Sequence, residues 1–134
     1  MIITPLQIRF NDMDAMGRVN NASYSSYLEL GRLDFCKKYL QITEVKDIPF
    51  VLVRVEMDIR NSLVPGDTAE VHTHVSRIGQ TSWEFSAQIQ NTENSLIYVE
   101  AKTTQVYFNY HQNRKENIPP EFRFFLEEER IKNS

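Results

Sequence analysis

The chain has one cysteine, Cys36, so no internal disulfide can staple it. It has only four glycines and five prolines, with no Gly-rich phosphate loop and no Pro-rich linker. No apolar run approaches the roughly 20 residues that a membrane span requires. Basic charge is not in excess: 15 Lys and Arg stand against 18 Asp and Glu, a net charge of −3. That balance argues against nonspecific binding to nucleic acid or to an anionic membrane. The opening stretch Met-Ile-Ile-Thr-Pro-Leu-Gln lacks a basic n-region and a long apolar core, so no signal peptide is expected. With the lone thiol, these absences predict a cytoplasmic protein, in which the sequon Asn21-Ala22-Ser23 is incidental. What is present is ordinary globular material. The 134 residues are 41% hydrophobic and 25% charged, which suits a single domain over residues 1–134 with a sizeable core.

Periodicity orders the elements. Residues 3–10 read as a strand. From Asn21 the pattern turns helical, with Tyr24, Tyr27, Leu28, Gly31 and Phe35 on one face. Asn20 or Asn21 is the N-cap, and the helix is expected to end near Leu40. Gly31 costs helix propensity, about 1 kcal/mol relative to Ala, but a small residue there lets the helix lie close to a sheet. Val51, Val53, Val55, Met57 and Ile59 then alternate with Leu52, Arg54, Glu56, Asp58 and Arg60 at a period of two. Val64-Pro65-Gly66-Asp67 forms a turn. Ala69, Val71, Thr73 and Val75 line one face of the next strand, and Trp83, Phe85, Ala87 and Ile89 line one face of the strand after it. Gly79 and Asn91–Asn94 mark reversals. Residues 96–108 form a last long strand. Ile118-Pro119-Pro120 introduces a short helix that docks Phe122, Phe125 and Leu126. The order β-α-β-β-β-β-α, with short connections late in the chain, predicts an α+β fold in which an antiparallel sheet wraps one long helix.

The segment Asp12-Met-Asp-Ala-Met-Gly-Arg-Val-Asn-Asn21 carries the chemistry. It sets a carboxylate, Asp14, beside the electropositive start of a helix, where a carbonyl substrate could be held and attacked. The alternative is structural: Asp14 as the acid of an Asx-turn that only shapes the loop. Asp12 fits that second role better, and Asn20 and Asn21 read first as caps.

The order strand, Asp-x-Asp-x-x-Gly-x-Val-Asn-Asn and tyrosine-containing helix, followed by four antiparallel strands, resembles the hotdog-fold acyl-CoA thioesterases. The 4-hydroxybenzoyl-CoA thioesterase-like group is the nearest branch, with a likeness to plant-type acyl-ACP thioesterases in Val19-Asn-Asn-x-x-Tyr24. Arg54–Arg60, Pro65-Gly66-Asp67 and Gly79–Phe85 extend the resemblance over nearly the whole chain. It implies a hotdog fold, an acyl-CoA or acyl-ACP substrate and no cofactor. It also implies a homodimer whose sheets join edge to edge, with active sites at the dimer interface; pairing of dimers into a homotetramer stays open. Asp14 matches the family's catalytic carboxylate. Gly17, Arg18, Val19, Asn20, Asn21, Tyr24 and Ser82 are the candidate substrate-binding residues, and backbone amides near Gly17–Val19, at the approach to the helix, are candidate oxyanion donors.

Chemistry agrees with so small a site. A thiol of pKa about 8.5 leaves readily as an anion, so a base or nucleophile plus oxyanion donors suffices. Two departures stand out. Arg18 occupies a position where relatives often carry His, and Met16 one where plant-type enzymes carry Asn. Arg18 stays protonated and is no base. A binder of acyl thioesters without hydrolysis is therefore the alternative function. Elsewhere, Glu70, His72 and His74 share a strand but lack a further ligand for a metal, and no metal is expected. Cys36 reads as a buried small hydrophobe. Glu29 lies off the apolar stripe and is a surface charge or, as in some hotdog branches, a helix acid with catalytic use. Arg54, Arg60 and Arg77 are the basic residues available to CoA phosphates. Tyr24, Tyr27, Leu28, Val55 and Met57 line either an acyl tunnel or the core.

Overall fold

A computed structural model of the chain describes residues 1–42 and 44–131. Strand β1 (Ile2–Pro5) is followed by helix α1 (Asn21–Leu40), then by strands β2 (Phe50–Ile59), β3 (Ala69–Ile78), β4 (Ser82–Asn91), β5 (Ile97–Asn109) and β6 (Arg114–Lys115), and by helix α2 (Pro120–Ile131). The sheet order is β1-β3-β4-β5-β2, with β6 paired to β5. Every pairing is antiparallel. This is the α+β hotdog arrangement: α1 lies along the inner face, and α2 covers the same face beside its C-terminal half.

The alternation read from the sequence places the core. Ala69, Val71 and Val75 of β3, with Trp83, Phe85, Ala87 and Ile89 of β4, are buried against the helix stripe Tyr24, Tyr27, Leu28, Gly31 and Phe35. Gly31 sits where expected, and the closeness is severe: a Cβ there would lie 2.3 Å from the Thr73 hydroxyl. At the far half of α1 an aromatic cluster closes the core, with Phe35 5.2 Å from Phe85 and Trp83 5.0 Å from Phe122 between ring centroids. The Val64–Asp67 turn forms as read, closed by the Asp67 amide on the Val64 carbonyl at 3.2 Å, with Gly66 at φ +94°.

Three expectations are corrected. The first strand ends at Pro5, not residue 10; one more bond, Leu6 N–H to the Ala69 carbonyl at 3.0 Å, precedes the departure of the chain into a 3-10 turn at Phe10–Asp12. Strand β6 has no counterpart in the sequence pattern; two residues without alternation give no period to read. The third correction lies in β2. Leu52 pairs with Gln105 and Arg54 with the adjacent Thr104, so Val53 is an extra residue, a bulge. The bulge reverses the faces. Phe50 and Leu52 lie opposite Tyr107 and Gln105, and after it Val55, Met57 and Ile59 lie opposite Thr103, Ala101 and Val99 on the same inner face. Val51 and Val53 therefore do not share the stripe of Val55, Met57 and Ile59. The strand is also a sheet edge, and Leu52, Val53, Val55 and Ile59 remain 39–56% exposed.

Candidate functional site

The segment before α1 is a tight loop built by its own carboxylates. Met13 and Val19 form an isolated antiparallel bridge. Between them the Asp14 amide donates to the Arg18 carbonyl at 2.7 Å, and the Gly17 amide to the Asp14 carbonyl at 3.1 Å. Gly17 sits at φ +75° with open space around its missing Cβ, so the left-handed backbone, not a close approach, calls for glycine. Oδ1 of Asp14 accepts the amides of Met16 at 2.8 Å and Arg18 at 3.2 Å. This is the Asx-turn geometry, and it holds the carboxylate in one orientation. Oδ2 has no partner among the described residues, and the side chain is exposed.

Asp12 anchors that loop to the helix. Its Oδ2 accepts the Arg9 amide at 2.9 Å and the Tyr27 hydroxyl at 2.7 Å. Burial, followed by this bond, pushes the Tyr27 hydroxyl well above its ordinary pKa, so Tyr27 remains a donor to Asp12. The Asn20 amide donates to the Asp12 carbonyl at 2.7 Å. Asn20 is the N-cap, its side-chain oxygen accepting the Ala22 amide at 2.8 Å. Asn21 opens the helix with an exposed side chain.

Most backbone amides of the loop are already engaged. The amides of Gly17 and Arg18 are held by Asp14, and that of Val19 by the Leu63 carbonyl at 2.9 Å. The expected oxyanion donors over Gly17–Val19 are therefore engaged within the fold. The amides of Ala15 and of Asn21, the first of the helix, make no hydrogen bond among the described residues. Only helix position, which the sequence does show, distinguishes Asn21 as a donor.

Other residues singled out in the sequence disperse. Tyr24 is buried, its hydroxyl accepting the Leu63 amide at 3.1 Å; it holds the loop beneath the site and lines no open surface. Ser82 pairs with Val106, at the end of β4 remote from Ile89 and Asn91, so one chain does not bring it to the Asp14 loop. The Arg18 side chain is exposed. Arg54 is paired with Glu56, and Arg60 with Glu100 at 2.7 Å, both on the outer face; the Arg77 guanidinium is unpaired among the described residues. His72 Nε2 lies 3.3 Å from Glu70, and no group of three metal-type ligands forms among the described residues. Burial raises the Cys36 thiol to about 12, which leaves it unreactive.

Two cavities of about 190 and 140 Å³ adjoin between α1 and β2. Glu29, Arg32 and Leu52 line both; Ser25, Ser26, Leu28, Val55 and Thr103 complete the larger. Arg32 was missed in the sequence. The signal was there, since it stands four residues beyond Leu28 and eight beyond Tyr24 on the buried stripe.

The family profile of the thioesterase-like superfamily matches residues 8–126. The acyl-CoA thioester hydrolase YbgC of Escherichia coli is 26% identical over 96 residues, covering 69% of this chain and 72% of that protein. Among solved structures, a predicted thioesterase from Bacillus stearothermophilus superposes with a TM-score of 0.88 at 28% identity, covering 96% of this chain and 95% of that one. A thioesterase from Thermus thermophilus, crystallised with coenzyme A and Zn, shares the fold at a TM-score of 0.83 and 23% identity, over 97% of this chain and 94% of that one.

Proposed function

The chain belongs to the thioesterase-like superfamily, and from that premise we propose that it hydrolyses an acyl-CoA thioester with Asp14 as general base or nucleophile. The observation that carries the assignment is the state of that carboxylate. One oxygen is oriented by the Met16 and Arg18 amides and the other is unpartnered among the described residues. Positioning of this kind is what a base needs. Water loses a proton to Asp14 as its oxygen bonds the carbonyl carbon; collapse of the tetrahedral intermediate breaks the C–S bond, and the thiolate leaves as an anion. Direct attack by Asp14 reaches the same products through an acyl anhydride that water opens. The Asn21 amide, at the positive end of α1, is the helix-terminal donor for the oxyanion. Gly17, Arg18, Val19, Asn20, Asn21 and Ser82 remain the substrate-binding residues of this reading, while Tyr24 supports them from beneath. No helix among the described residues is long and apolar enough to cross a membrane, and the reading places the enzyme in the cytoplasm.

The active unit is a homodimer joined through β2. Val51, Val106 and Ser82 lie in one row across the sheet, at the Phe50 end of β2. The Asp14 loop belongs to the Ile59 end, where Val19 bonds Leu63 and Arg60 bonds Tyr98. Antiparallel pairing of two β2 edges sets one end against the other and carries the partner's Ser82 toward Asp14.

Asp14→Asn tests the assignment. Asparagine keeps an Oδ1 acceptor for Met16 and Arg18, so the loop persists while the base is lost. Thiol release from acyl-CoA is expected to fall by about 10²–10⁴ with an unchanged circular dichroism spectrum. Full activity in this variant overturns the role of Asp14. A binding-only protein is the second reading, favoured by the Asx-turn itself, which gives Asp14 a structural task; it predicts tight acyl-CoA binding by the wild type with no thiol released over hours. Matched acyl-CoA and acyl-ACP substrates separate the two carriers.

A further inference from the structure

Arg32 is nine-tenths buried and makes no hydrogen bond or ion pair among the described residues. Burial lowers the pKa of its guanidinium, with Glu29 acting against that; an arginine starts so high that it stays charged. A largely buried cation with no ion pair in its own chain is costly, and a partner surface can supply one. Glu29 stands one helical turn away and lines the same cavities. It is exposed and lies beyond ion-pair distance of Arg32 in its own chain. Both residues flank the apolar edge strand whose Leu52, Val53 and Val55 are left open.

A surface that joins its own copy about a two-fold axis must be complementary to itself after rotation. A cation and an anion three residues apart on one helix meet that condition: antiparallel approach of two such helices sets each Arg32 against the other chain's carboxylate. An anionic ligand fits the same cavities worse, because Glu29 would repel it.

We propose that Arg32 pairs with Glu29 of the partner subunit, twice about the axis of the dimer, and that these pairs fix the register in which the α1–β2 faces meet. The inference rests on the β2-edge dimer proposed above. It assigns Arg32 and Glu29 to assembly and not to catalysis, so Glu29 is not the helix acid of the reaction.

Single charge reversals test it by sedimentation velocity. E29R and R32E each set like charges against each other, and the dimer dissociation constant is expected to rise about a hundredfold, about tenfold for each pair. At a dilution between the wild-type and the raised dissociation constants, each variant alone then sediments as a monomer with wild-type circular dichroism, while the wild type, an equimolar mixture of the two variants and the double variant E29R/R32E sediment as dimers. If both variants remain dimeric, or if two folded monomeric variants fail to associate on mixing, the pairing is overturned. Should R32E not fold, E29R alone decides: monomer supports the pairing, and dimer overturns it. A monomeric wild type refutes the β2-edge dimer itself. None of these readouts involves thiol release, so they are independent of the hydrolase assignment.

Discussion

Two contacts of single atoms decide much about this chain. One is Asp14 Oδ1 on two backbone amides, which makes Asp14→Ala and Asp14→Asn different experiments. Alanine removes the turn as well as the proposed base, whereas asparagine keeps the turn and removes only that base. The other is the approach of Gly31 to Thr73. Ala is worth about 1 kcal/mol over Gly in a helix interior, yet its Cβ would stand 2.3 Å from Thr73 Oγ1. The clash wins, because a β-branched side chain on a packed strand has little room to turn. Gly31→Ala is expected to lower stability by about 1–3 kcal/mol, measured by urea unfolding. Thr73→Ala in the same chain should recover most of the loss. The Thr73 hydroxyl is buried and has no hydrogen-bond partner among the described residues, so its removal costs little. If the double variant is no more stable than Gly31→Ala, the contact is not the cause.

At the scale of elements, α2 is held to the rest of the fold by an acid as well as by its apolar face. Glu129 is buried, accepting from Lys38 at 2.8 Å and from the Tyr39 hydroxyl at 2.5 Å, with the nitrogen of Met1 at 2.6 Å. Burial alone would push its carboxyl up, but the bonds from Lys38, the amino terminus and Tyr39 outweigh it and hold the pKa at about 2. An unfolded glutamate titrates near about 4.3. The folded value is the lower, so the stabilisation is complete above the unfolded pKa and is lost as pH falls through the range down to about 2. Glu129→Gln is expected to cost on the order of 2–4 kcal/mol at neutral pH and to flatten the dependence of stability on pH between about 4.5 and 2. A denaturation series across that range measures both. Equal slopes for the two proteins would remove Glu129 from the acid response.

The whole molecule presents an edge that its own fold leaves unfinished. β2 is bulged, apolar and exposed on the inner side, and a sheet edge of this kind seeks a partner. Val55→Glu places a charge at a position 43% exposed in one chain, which a monomer tolerates and a closed dimer does not. The expected result of the proposed dimer is a folded monomer by light scattering that releases little thiol, because that proposal divides the site between two chains. A Val55→Glu monomer with full thioesterase activity would locate the whole site in one chain.

Most of the architecture was legible in the sequence because periodicity is a local signal that reports burial directly. The stripe from Tyr24 to Phe35, the alternations of β3 and β4, the Pro-Gly turn and an asparagine cap at 20 or 21 needed no tertiary information. The motif from Asp12 to Asn21 likewise pointed to the loop that carries Asp14. What the tertiary structure decided were matters of partnership. The bulge at Val53 appears only when β5 is laid beside β2. The occupied amides of Gly17, Arg18 and Val19 depend on Leu63 and on how Asp14 folds back, and the separation of Ser82 from Asp14 depends on strand order. Arg32 shares the buried stripe of its helix, but only the strand beside that helix shows that it is buried without an ion pair among the described residues of its own chain. Hydrogen bonds and charges acquire their meaning from the group opposite, and residues distant in the chain meet only in the fold.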